Sequence, residues 1–390
     1  MKLPHYFNPQ IANDIARLTK AHATPFLILD LSVVEQRYRD MVEEFPLSDI
    51  FYAVKANPAN EVIQLLAKLG ANFDIASSPE LDKVLAFKID PERIVFGNTI
   101  KKKMDIAYFY AQGVRLFATD SEADLNNIAQ HAPGSKVYIR LLFDGSSSAD
   151  WPLSNKFGCS SEVAVGLAVK AKALGLVPYG ISFHVGSQQR DIATWRQAIE
   201  ATKVLFDEVK HKHNIQLEMI NLGGGLPAHY LQQTDDFKTY AMSIHQFLKD
   251  SFADKMPRII IEPGRSLVGD AGILVSEIVL ITDKYIKSNA AERWIYTDVG
   301  TFNGLIETLG ESIKYPLLTA KEGTTQPVVL AGPTCDSLDI MYQHHQYQLP
   351  SSLAIGDHLF WLSTGAYTTS YSAIEFNGFA PLAYHIVPEL

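Results

Sequence analysis

Cysteine, positive charge and long apolar runs are all scarce in this chain. Its 390 residues contain 2 cysteines, and 34 Lys and Arg stand against 43 Asp and Glu, for a formal net charge of −9. Two cysteines cannot build a disulfide framework, which predicts a reducing compartment. The negative balance disfavours nucleic acid and anionic membrane as partners and is compatible with a small cationic substrate.

Signals for membrane insertion or export are also missing from the sequence. No segment offers the roughly 18 uninterrupted apolar residues that a membrane span needs. Residues 1–5 lack the apolar core of a signal peptide. We therefore expect a soluble, cytoplasmic protein. The 47% hydrophobic and 20% charged residues are typical of a globular protein, and the length fits two domains.

Short apolar runs alternate with helical patterns through the first two thirds of the chain. Five runs begin about 22 residues apart, and three more follow at longer spacing. The eight predicted strands are 50–56, 72–76, 93–97, 114–118, 137–142, 178–184, 217–222 and 258–262. Strands and helices that alternate at this spacing are typical of a parallel sheet. Eight such units close a TIM barrel, so the sequence predicts an α/β fold with a (β/α)8 barrel over 35–268.

The pattern changes after about residue 270, where helical patterns become rare. Strands are predicted at 272–282, 293–298, 327–331, 357–362 and 382–387. Glycine, proline and asparagine turns separate these runs, which favours an antiparallel β domain. A strand at 25–29 precedes the barrel pattern, and we expect it to join this domain, which then comprises 1–34 and 269–390.

A single lysine lies near the end of the first predicted barrel strand. Period-2 alternation along 50–56 places Phe51, Ala53 and Lys55 on one face. A lysine charge on the inner face of a buried strand is costly unless chemistry uses it. A Schiff base to an aldehyde cofactor would use it, because desolvation lowers the pKa of the amine. The alternative is a side chain that reaches solvent from the strand end, and this stretch alone leaves both interpretations open.

Glycines and charged side chains follow the last two predicted barrel strands, at the edge where TIM barrels carry active sites. Three glycines at 223–225 allow backbone N–H groups to approach an anion, and Arg265 adds a cation. We predict a phosphate site there rather than a purely structural turn. Glu262 shares a strand face with Ile260 and needs a partner if it is buried. That partner could be the pyridine nitrogen of pyridoxal phosphate, an arginine such as Arg140 or Arg265, or both.

Histidine and cysteine supply two further candidates. His184 ends a predicted strand; a lone histidine there is more often a core residue, but beside a lysine and a phosphate loop we expect it to stack on a ring. Cys335 and Asp336 follow an apolar run in a turn, which indicates a presented group. The alternative is a small apolar residue with capping aspartates. No spacing of His, Cys or carboxylates matches a metal site, so no metal is predicted.

Seven motifs, in order, resemble those of the fold-type III pyridoxal-phosphate decarboxylases, a family that includes ornithine decarboxylase and bacterial lysine/ornithine decarboxylase. They are Tyr-Ala-Val-Lys-Ala-Asn (52–57), Phe-Asp-Ile-Ala-Ser (73–77), His-Val-Gly-Ser-Gln (184–188), Gly-Gly-Gly (223–225), Glu-Pro-Gly-Arg (262–265), Gly-Pro-Thr-Cys-Asp (332–336) and Gly-Ala-Tyr-Thr (365–368). The resemblance runs from about residue 24 to 380. It implies an alanine-racemase-like barrel with a β domain, pyridoxal 5′-phosphate as cofactor, and a homodimer in which both chains complete each active site.

The resemblance also implies roles for single residues. The implied catalytic residues are Lys55 as covalent anchor, His184 on the ring, Glu262 at the ring nitrogen and Cys335 as proton donor. The implied cofactor-binding residues further include Asp74, Arg140, Ser187, Gly224, Gly225, Gly264, Arg265 and Tyr367. The implied substrate-binding residues are Asp298 and Asp336, for the distal ammonium group, with Tyr296 and Phe376.

The implied activity is decarboxylation of L-lysine and L-ornithine to cadaverine and putrescine, a reaction of polyamine biosynthesis. Cys335-Asp336 replaces the Cys-Glu of most diaminopimelate decarboxylases, which favours a simple diamino acid. Ser337 replaces the glycine of many ornithine decarboxylases, which argues against strict ornithine preference. An ornithine-only decarboxylase, a diaminopimelate decarboxylase, a racemase on a similar barrel and a non-catalytic regulator stay as alternatives.

Overall fold

Helices follow most strands in the structure, a computed structural model that describes residues 3–7, 9–143, 148–151, 154–253, 255–285 and 291–388. The α-helices are α1 Ile11–Ala21, α2 Leu31–Glu44, α3 Asn60–Leu69, α4 Ser78–Leu85, α5 Lys103–Ala111, α6 Glu122–His131, α7 Ser161–Ala173, α8 Ala193–His213, α9 Phe237–Phe252 and α10 Arg265–Val268. Short 3-10 helices lie at Val54–Ala56, Pro91–Arg93, Gly269–Ala271, Ile306–Glu311 and Phe376–Gly378.

The strands fall into two larger sheets and one small pair. They are β1 Phe26–Asp30, β2 Ser48–Ala53, β3 Asn72–Ile75, β4 Ile94–Phe96, β5 Leu116–Thr119, β6 Lys136–Arg140, β7 Ala149–Trp151, β8 Val177–Ser182, β9 Ser187–Gln189, β10 Met219–Asn221, β11 Arg258–Ile261, β12 Gly272–Lys284, β13 Glu292–Thr297, β14 Leu317–Thr319, β15 Thr325–Ala331, β16 Ile340–Pro350, β17 His358–Leu362 and β18 Ala383–Val387.

Eight parallel strands close a barrel in the unit formed by Tyr38–Pro227 and Thr234–Ser266. The order around it is β2, β3, β4, β5, β6, β8, β10 and β11, and β11 pairs with β2. The predicted TIM barrel is confirmed. Most barrel strands contribute one or two side chains to the packed interior of the barrel. These are Phe51, Val95, Leu116, Ala118, Tyr138, Tyr179, Met219 and Ile260. Because the strands are parallel, their carboxyl ends share one rim above this packed interior.

Local sequence signals set the ends of several barrel helices. The side chains of Ser160 and Asp236 accept hydrogen bonds from backbone N–H groups in the first turns of α7 and α9. Gly70 and Asn214 take left-handed conformations directly after α3 and α8. Such caps are short-range features, which explains why the alternation of strands and helices was visible in the sequence.

A buried ion pair ties together the rim near β4 and β5. The Nζ of Lys101 lies 2.7 Å from Oδ2 of Asp124, and it also donates to the backbone oxygens of Asn98 and Ala118 at 2.9 and 2.7 Å. All three ammonium protons therefore have acceptors, which a fully buried lysine requires. Burial lowers the pKa of Lys101 and raises the pKa of Asp124. The pair joins α6 to the segments that leave two barrel strands.

The remaining residues, Met1–Arg37, Ala228–Gln233 and Leu267–Leu390, form a unit built on a second sheet. Its strand order is β14-β17-β12-β13-β15-β16, and β1 pairs with β12 and β18. The prediction that the N-terminal strand joins this sheet is confirmed. The sheet is mixed rather than wholly antiparallel, because β13 runs parallel to β15 and β1 parallel to β18.

The long strand β16 and the short strands β7, β9 and β14 were not predicted from the sequence. In β16 the pairing with β15 shifts register, which interrupts the alternation of buried and exposed side chains. At the same place the carboxylate of Glu311 accepts the backbone N–H groups of Gln343, His344 and His345 at 2.7, 2.6 and 2.8 Å. Of the two histidines in this stretch, His344 is exposed and His345 is half-buried.

The border between the two units falls inside α2 and again near Ser266. The domain limits drawn from the sequence, 35–268 against 1–34 and 269–390, stay a prediction, and the structure also assigns Ala228–Gln233 to the sheet unit. Within the described residues, none of the helices combines the length and the apolar character needed to cross a membrane.

Candidate active site

Lys55 lies at the barrel rim, directly after β2 rather than within it. The strand ends at Ala53, and Lys55 is the middle residue of a 3-10 turn. The prediction that it occupies the inner face of a buried strand is therefore wrong, and its side chain is 53% exposed. Its Nζ lies 3.3 Å from Oδ2 of Asp74. The turn thus presents an amine above the rim, paired with a carboxylate.

Asp74, on β3, combines burial with an incompletely used carboxylate. Among the residues that the structure describes, its Oδ1 has no hydrogen-bond partner. Gly97, which follows β4, leaves room for this oxygen, since a Cβ on Gly97 would lie 1.8 Å from it. A buried acceptor without a donor is costly. Asp74 is therefore suited to bind a donor of a ligand at the rim.

Glu262 follows β11 and lies beside the last residue of β10. Its Oε1 accepts a hydrogen bond of 2.6 Å from Nδ2 of Asn221. The pKa of Glu262 is raised to about 7, because burial and the charge of Asp74 outweigh the opposite effects of Lys55, Asn221 and Arg140. The carboxyl therefore changes its protonation near neutral pH. Of the two arginines suggested as partners, Arg140 acts on Glu262 by its charge.

Two neighbours of Glu262 escaped the sequence analysis. Asn221 is a fully buried amide at the end of β10, just before the three glycines. Tyr138 points from β6 into the barrel, and burial together with the charges of Glu262 and Asp74 raises its pKa, so its hydroxyl stays protonated. For Asn221 the available signal was a single polar residue in the otherwise apolar strand β10, which is too common to identify a site.

His184 lies two residues beyond β8, past the end of the strand that the sequence predicted to include it. Its Nδ1 accepts the backbone N–H of Gly186 at 3.0 Å. Burial, together with the charges of Arg140 and Lys55, lowers the pKa of His184 to about 3. The imidazole is therefore neutral at physiological pH, as suits a flat ring that packs against another.

Arg265, Ser187 and the glycine turn lie together at the rim. The buried Arg265 donates from Nε to Oγ of Ser187 at 3.1 Å. Gly225 has a φ of +108°, and a Cβ there would lie 2.6 Å from the oxygen of Gly186. Only glycine fits this position without strain. The Arg265 cation, the Ser187 hydroxyl and backbone N–H groups that a ligand can approach closely are together suited to bind a phosphate.

Two other predicted cofactor residues also lie in the barrel unit. The guanidinium carbon of Arg140, at the end of β6, lies 4.9 Å from the ring centre of Phe157. Gly264, next to Arg265, leaves space beside the lysine turn, since a Cβ there would lie 2.9 Å from Cβ of Ala56. The barrel rim therefore gathers the lysine, two carboxylates, the histidine and the phosphate-type groups within one unit.

The predicted residues of the sheet unit are Tyr296, Asp298, Cys335, Asp336, Tyr367 and Phe376. Burial raises the pKa of Asp298, whose Oδ1 accepts the backbone N–H of Glu277 at 2.9 Å. Cys335 is exposed, and its backbone N–H donates to Oδ1 of Asn377 at 3.0 Å. Asp336 accepts the backbone N–H of Leu338 at 2.8 Å.

Side-chain packing fixes two aromatic candidates of this unit. Tyr296, on β13, stacks on Trp294 with ring centres 6.0 Å apart. Phe376 packs against Phe302 at 5.1 Å. Tyr367 has a left-handed backbone, with a φ of +59°. The rings of Tyr296 and Phe376 are therefore each positioned by a neighbouring ring.

A buried carboxylate, missed in the sequence, holds the turn that carries Cys335. Asp339 accepts the N–H and the hydroxyl of Thr334 at 2.9 and 2.7 Å. Its other oxygen accepts the backbone N–H of Thr301 at 2.8 Å. Since Thr301 lies three residues after Asp298, this carboxylate ties both predicted substrate-binding segments to one point.

Comparison with known proteins identifies relatives along nearly the whole chain. The family described as pyridoxal-dependent decarboxylase, pyridoxal binding domain, matches residues 31–269. A lysine/ornithine decarboxylase of Selenomonas ruminantium is 31% identical over 94% of this chain and 90% of its own. Ornithine decarboxylase of Saccharomyces cerevisiae is 32% identical over 92% of this chain and 79% of its own.

Solved structures show the same fold. Lysine/ornithine decarboxylase from Vibrio vulnificus, in complex with cadaverine, superposes with a TM-score of 0.87 at 28% identity and covers 98% of this chain and 100% of that one. The same enzyme has also been solved with putrescine, with a TM-score of 0.86.

The barrel rim fits pyridoxal phosphate. The turn after β2 presents an amine, and Asp74 has a buried oxygen without a donor among the described residues. Arg265, Ser187 and the glycine turn match a phosphate, and the neutral ring of His184 matches an aromatic face. Among the described residues, no group of three His, Cys, Asp or Glu side chains could hold a metal ion.

The depressed pKa of His184 makes the stability of the cofactor-free protein depend on pH. Between pH 3 and 6.5 the unfolded chain binds a proton at this residue that the folded chain does not. The free energy of unfolding should therefore fall by about 1.4 kcal/mol per pH unit below pH 6.5 from this residue. His184→Asn keeps an acceptor for the N–H of Gly186 but cannot be protonated, so its stability should fall less on acidification.

Urea unfolding of the cofactor-free protein at pH 7.5, 6 and 5 measures the difference. His211→Asn, on the exposed face of α8, is the matched control and should keep the wild-type pH dependence. Equal slopes in wild type and His184→Asn would contradict a neutral imidazole.

Proposed function

This chain belongs to the pyridoxal-dependent decarboxylase family, and we propose that it removes the α-carboxylate of L-lysine and L-ornithine to form cadaverine and putrescine. The observation that carries the proposal is the barrel rim, where the amine of Lys55 lies 3.3 Å from Asp74 beside Glu262, His184 and Arg265. The names of the Selenomonas and Vibrio relatives support these substrates.

In this proposal the barrel rim binds the cofactor. Lys55 is its covalent anchor, and Asp74 and Arg140 contribute a buried acceptor and a cation beside it. The residues that hold the phosphate are Ser187, Gly224, Gly225, Gly264 and Arg265 of the barrel unit and Tyr367 of the sheet unit. Arg265 is held by its contact with Ser187, so its guanidinium is oriented before the phosphate binds.

Bound pyridoxal phosphate supplies an electron-accepting ring that takes up the electron pair left behind when CO2 departs. The carboxylate of Glu262 stabilises a proton on the ring nitrogen, which would make the ring a stronger electron acceptor. His184 packs on the ring face as a neutral group, so it does not oppose positive charge on that nitrogen. Both roles follow from the environment of each side chain rather than from its type alone.

The sheet unit binds the substrate and supplies the proton. Asp298 and Asp336 receive the distal ammonium group, and Tyr296 and Phe376 contact the alkyl chain. The Sγ–H of Cys335 gives a proton to the α-carbon after CO2 has left. Asp339 supports this arrangement, because it holds the Cys335 turn and the segment after Asp298 at one buried carboxylate.

The presence of Lys55, Cys335 and Asp336 favours a decarboxylase over a racemase or a non-catalytic regulator. A racemase on this barrel would have no evident use for Cys335 and Asp336, and a non-catalytic regulator would have no need of Lys55 or the phosphate-type groups. Cys335 is exposed, as a residue that meets a substrate must be. The expectation of a cytoplasmic protein stays a prediction.

We further propose a homodimer in which Cys335 and Asp336 act in the active site of the partner subunit. Large apolar side chains are exposed near Cys335 and on residues 374–379, which contact the Cys335 turn through Asn377. They are Leu338, Ile374, Phe376 and Phe379. Clustered exposed apolar groups beside reactive residues are typical of a surface that another chain covers. A second copy of this chain, as in the family, is the proposed occupant.

The role of Lys55 is tested by removing its amine. Lys55→Ala should bind pyridoxal phosphate only loosely and lose essentially all turnover, because it removes the amine that the turn after β2 presents, and the amine of Lys101, also near the rim, is fully buried and paired with Asp124. Borohydride reduction followed by mass spectrometry measures covalent attachment. Lys68→Ala, an exposed lysine in the last turn of α3, is the control and should still trap the cofactor. Covalent trapping by Lys55→Ala would end this assignment.

Shared active sites are tested by mixing two inactive variants. Lys55→Ala and Cys335→Ala are each defective in every homodimer, but a mixed dimer contains one site with both native residues. Random exchange should restore up to about a quarter of the activity, since half of the dimers are mixed and half of their sites are intact. Native mass spectrometry follows the exchange. A mixture that exchanges but stays inactive would show that the two residues do not act across the interface.

Lysine and ornithine should be turned over with kcat/KM values within about tenfold of each other. They differ by one methylene, worth about 0.8 kcal/mol when buried, so an apolar pocket discriminates between them only weakly. Asp336 and Asp298 can receive an ammonium group at two chain lengths, directly or through a water held by Ser337. Initial rates with lysine, ornithine, arginine and diaminopimelate, measured side by side, test this expectation.

The same assay separates the alternatives. Diaminopimelate should be a poor substrate, because its distal carboxylate would meet two acids. Asp336→Ala should impair turnover of both lysine and ornithine, since each ammonium group loses a charged partner. Efficient turnover of diaminopimelate would favour that decarboxylase, and a ratio beyond about a thousandfold between lysine and ornithine would favour a single-substrate enzyme.

A further inference from the structure

Asn221 connects the glycine turn to Glu262 through both ends of its side chain. It is the last residue of β10 and is fully buried. Its Oδ1 accepts the backbone N–H of Gly223 at 2.9 Å, and its Nδ2 donates to Oε1 of Glu262 at 2.6 Å. The backbone N–H of Gly223 needs an acceptor, and within the Asn221 side chain only the amide oxygen can accept. The contact with Gly223 therefore orients the amide so that its NH2 group faces Glu262.

The charges around Glu262 make this donor important. Asp74 faces it from β3 and opposes its negative charge, whereas Lys55 after β2 and Arg140 on β6 favour that charge. The hydroxyl of Tyr138 lies beneath, on β6, and stays protonated. Asn221 provides a direct hydrogen bond of 2.6 Å to the carboxylate, and a donor to an ionised acceptor contributes more than a donor to a neutral one.

We propose that Asn221 is a positioning residue that orients the Glu262 carboxylate and keeps it ionised. The inference deepens the proposed function, because it rests on Glu262 as the partner of the ring nitrogen. It also gives a reason for an amide at this position. An aspartate there would still accept the N–H of Gly223, but it would place a second carboxylate oxygen 2.6 Å from Glu262. Two carboxylates so close must share a proton.

The experiment measures the protonation of Glu262 in the cofactor-free protein. Carbon-13 labelling of glutamate side chains gives a carboxyl resonance for each glutamate, and the resonance of Glu262 is the one missing from Glu262→Gln. In the wild type it should titrate at about pH 7. In Asn221→Ala the midpoint should rise by about one to two pH units, the effect of one lost charge-assisted hydrogen bond. In Asn221→Asp, which keeps the shape, it should rise at least as far.

Asn72→Asp is the matched control. Asn72 begins β3, which β2 separates from β11, and its Nδ2 donates to the backbone oxygen of Ile50 at 3.2 Å, at the opposite end of the barrel from Glu262. This substitution removes a similar hydrogen bond and adds the same charge. It should leave the midpoint of Glu262 within about 0.3 pH units of wild type.

The pH dependence of unfolding provides a second measurement. Because the pKa of Glu262 is raised in the folded state, the folded protein holds a proton between about pH 4.5 and 7 that the unfolded chain has lost. Its contribution to stability is therefore lost as pH rises through that window. In Asn221→Ala the loss should continue to higher pH. A purely structural role for Asn221 would instead lower stability equally at every pH.

The outcomes separate this inference from the proposed function. If the midpoint of Glu262 in both Asn221 variants stays within about 0.3 pH units of wild type, Asn221 only supports the glycine turn and the inference is overturned. If the midpoint rises as expected, the inference is supported. Failure of the wild-type enzyme to release CO2 from lysine or ornithine would refute the substrate proposal and leave the titration result unaffected.

Discussion

Two carboxylates that approach each other at the rim of one barrel impose the main electrostatic constraint on this protein. Asp74 is buried, Glu262 is half-buried, and the charge of Asp74 opposes ionisation of Glu262. Without compensation, one of the two would be neutral. Lys55, Arg140 and the amide of Asn221 supply that compensation, each from a different strand end, so the charges balance only when the barrel is closed.

The barrel suits this task because its strand ends rest on a packed interior. Inward-facing side chains, Tyr138 among them, fill the space beneath the rim. Side chains that follow the strands are then held by short contacts, such as His184 to Gly186 and Arg265 to Ser187. The first contact orients the His184 ring and the second orients the Arg265 guanidinium. Groups oriented in advance lose little freedom when a ligand binds.

The sheet unit uses a different device for the same purpose. Its reactive segments are turns, and turns are mobile unless something holds them. The buried carboxylate of Asp339 accepts three hydrogen bonds from Thr301 and Thr334, which fixes the Cys335 turn against the segment after Asp298. In both units, the hydrogen bonds of a buried polar group therefore fix the position of nearby residues that must stay accessible. The proposal of a shared active site requires each unit to keep its own residues in position, and the contacts within each unit are consistent with that.

Local patterns in the sequence were sufficient for the eight barrel strands and for most of the residues at the rim. Strand period, helix caps and the spacing of strands and helices are short-range properties, so they can be recognised without a structure. Lys55 and Glu262 could be located because each ends or follows an apolar run, whereas Asp74 lies within its strand and was named through the family resemblance. The 3-10 turn that removes Lys55 from its strand could not, because it depends on how the chain leaves the barrel.

Contacts between distant residues were decided by the tertiary structure alone. The bond from Asn221 to Glu262 and the ion pair between Lys101 and Asp124 join residues 41 and 23 positions apart. The parallel pairing of β13 with β15 and the register shift along β16 likewise depend on neighbouring strands. The sequence alone determined which side chains reach the barrel rim, because strand ends are local. Which of them touch, and what charge each then carries, was set by closure of the barrel, because burial and electrostatic interaction depend on distances in space.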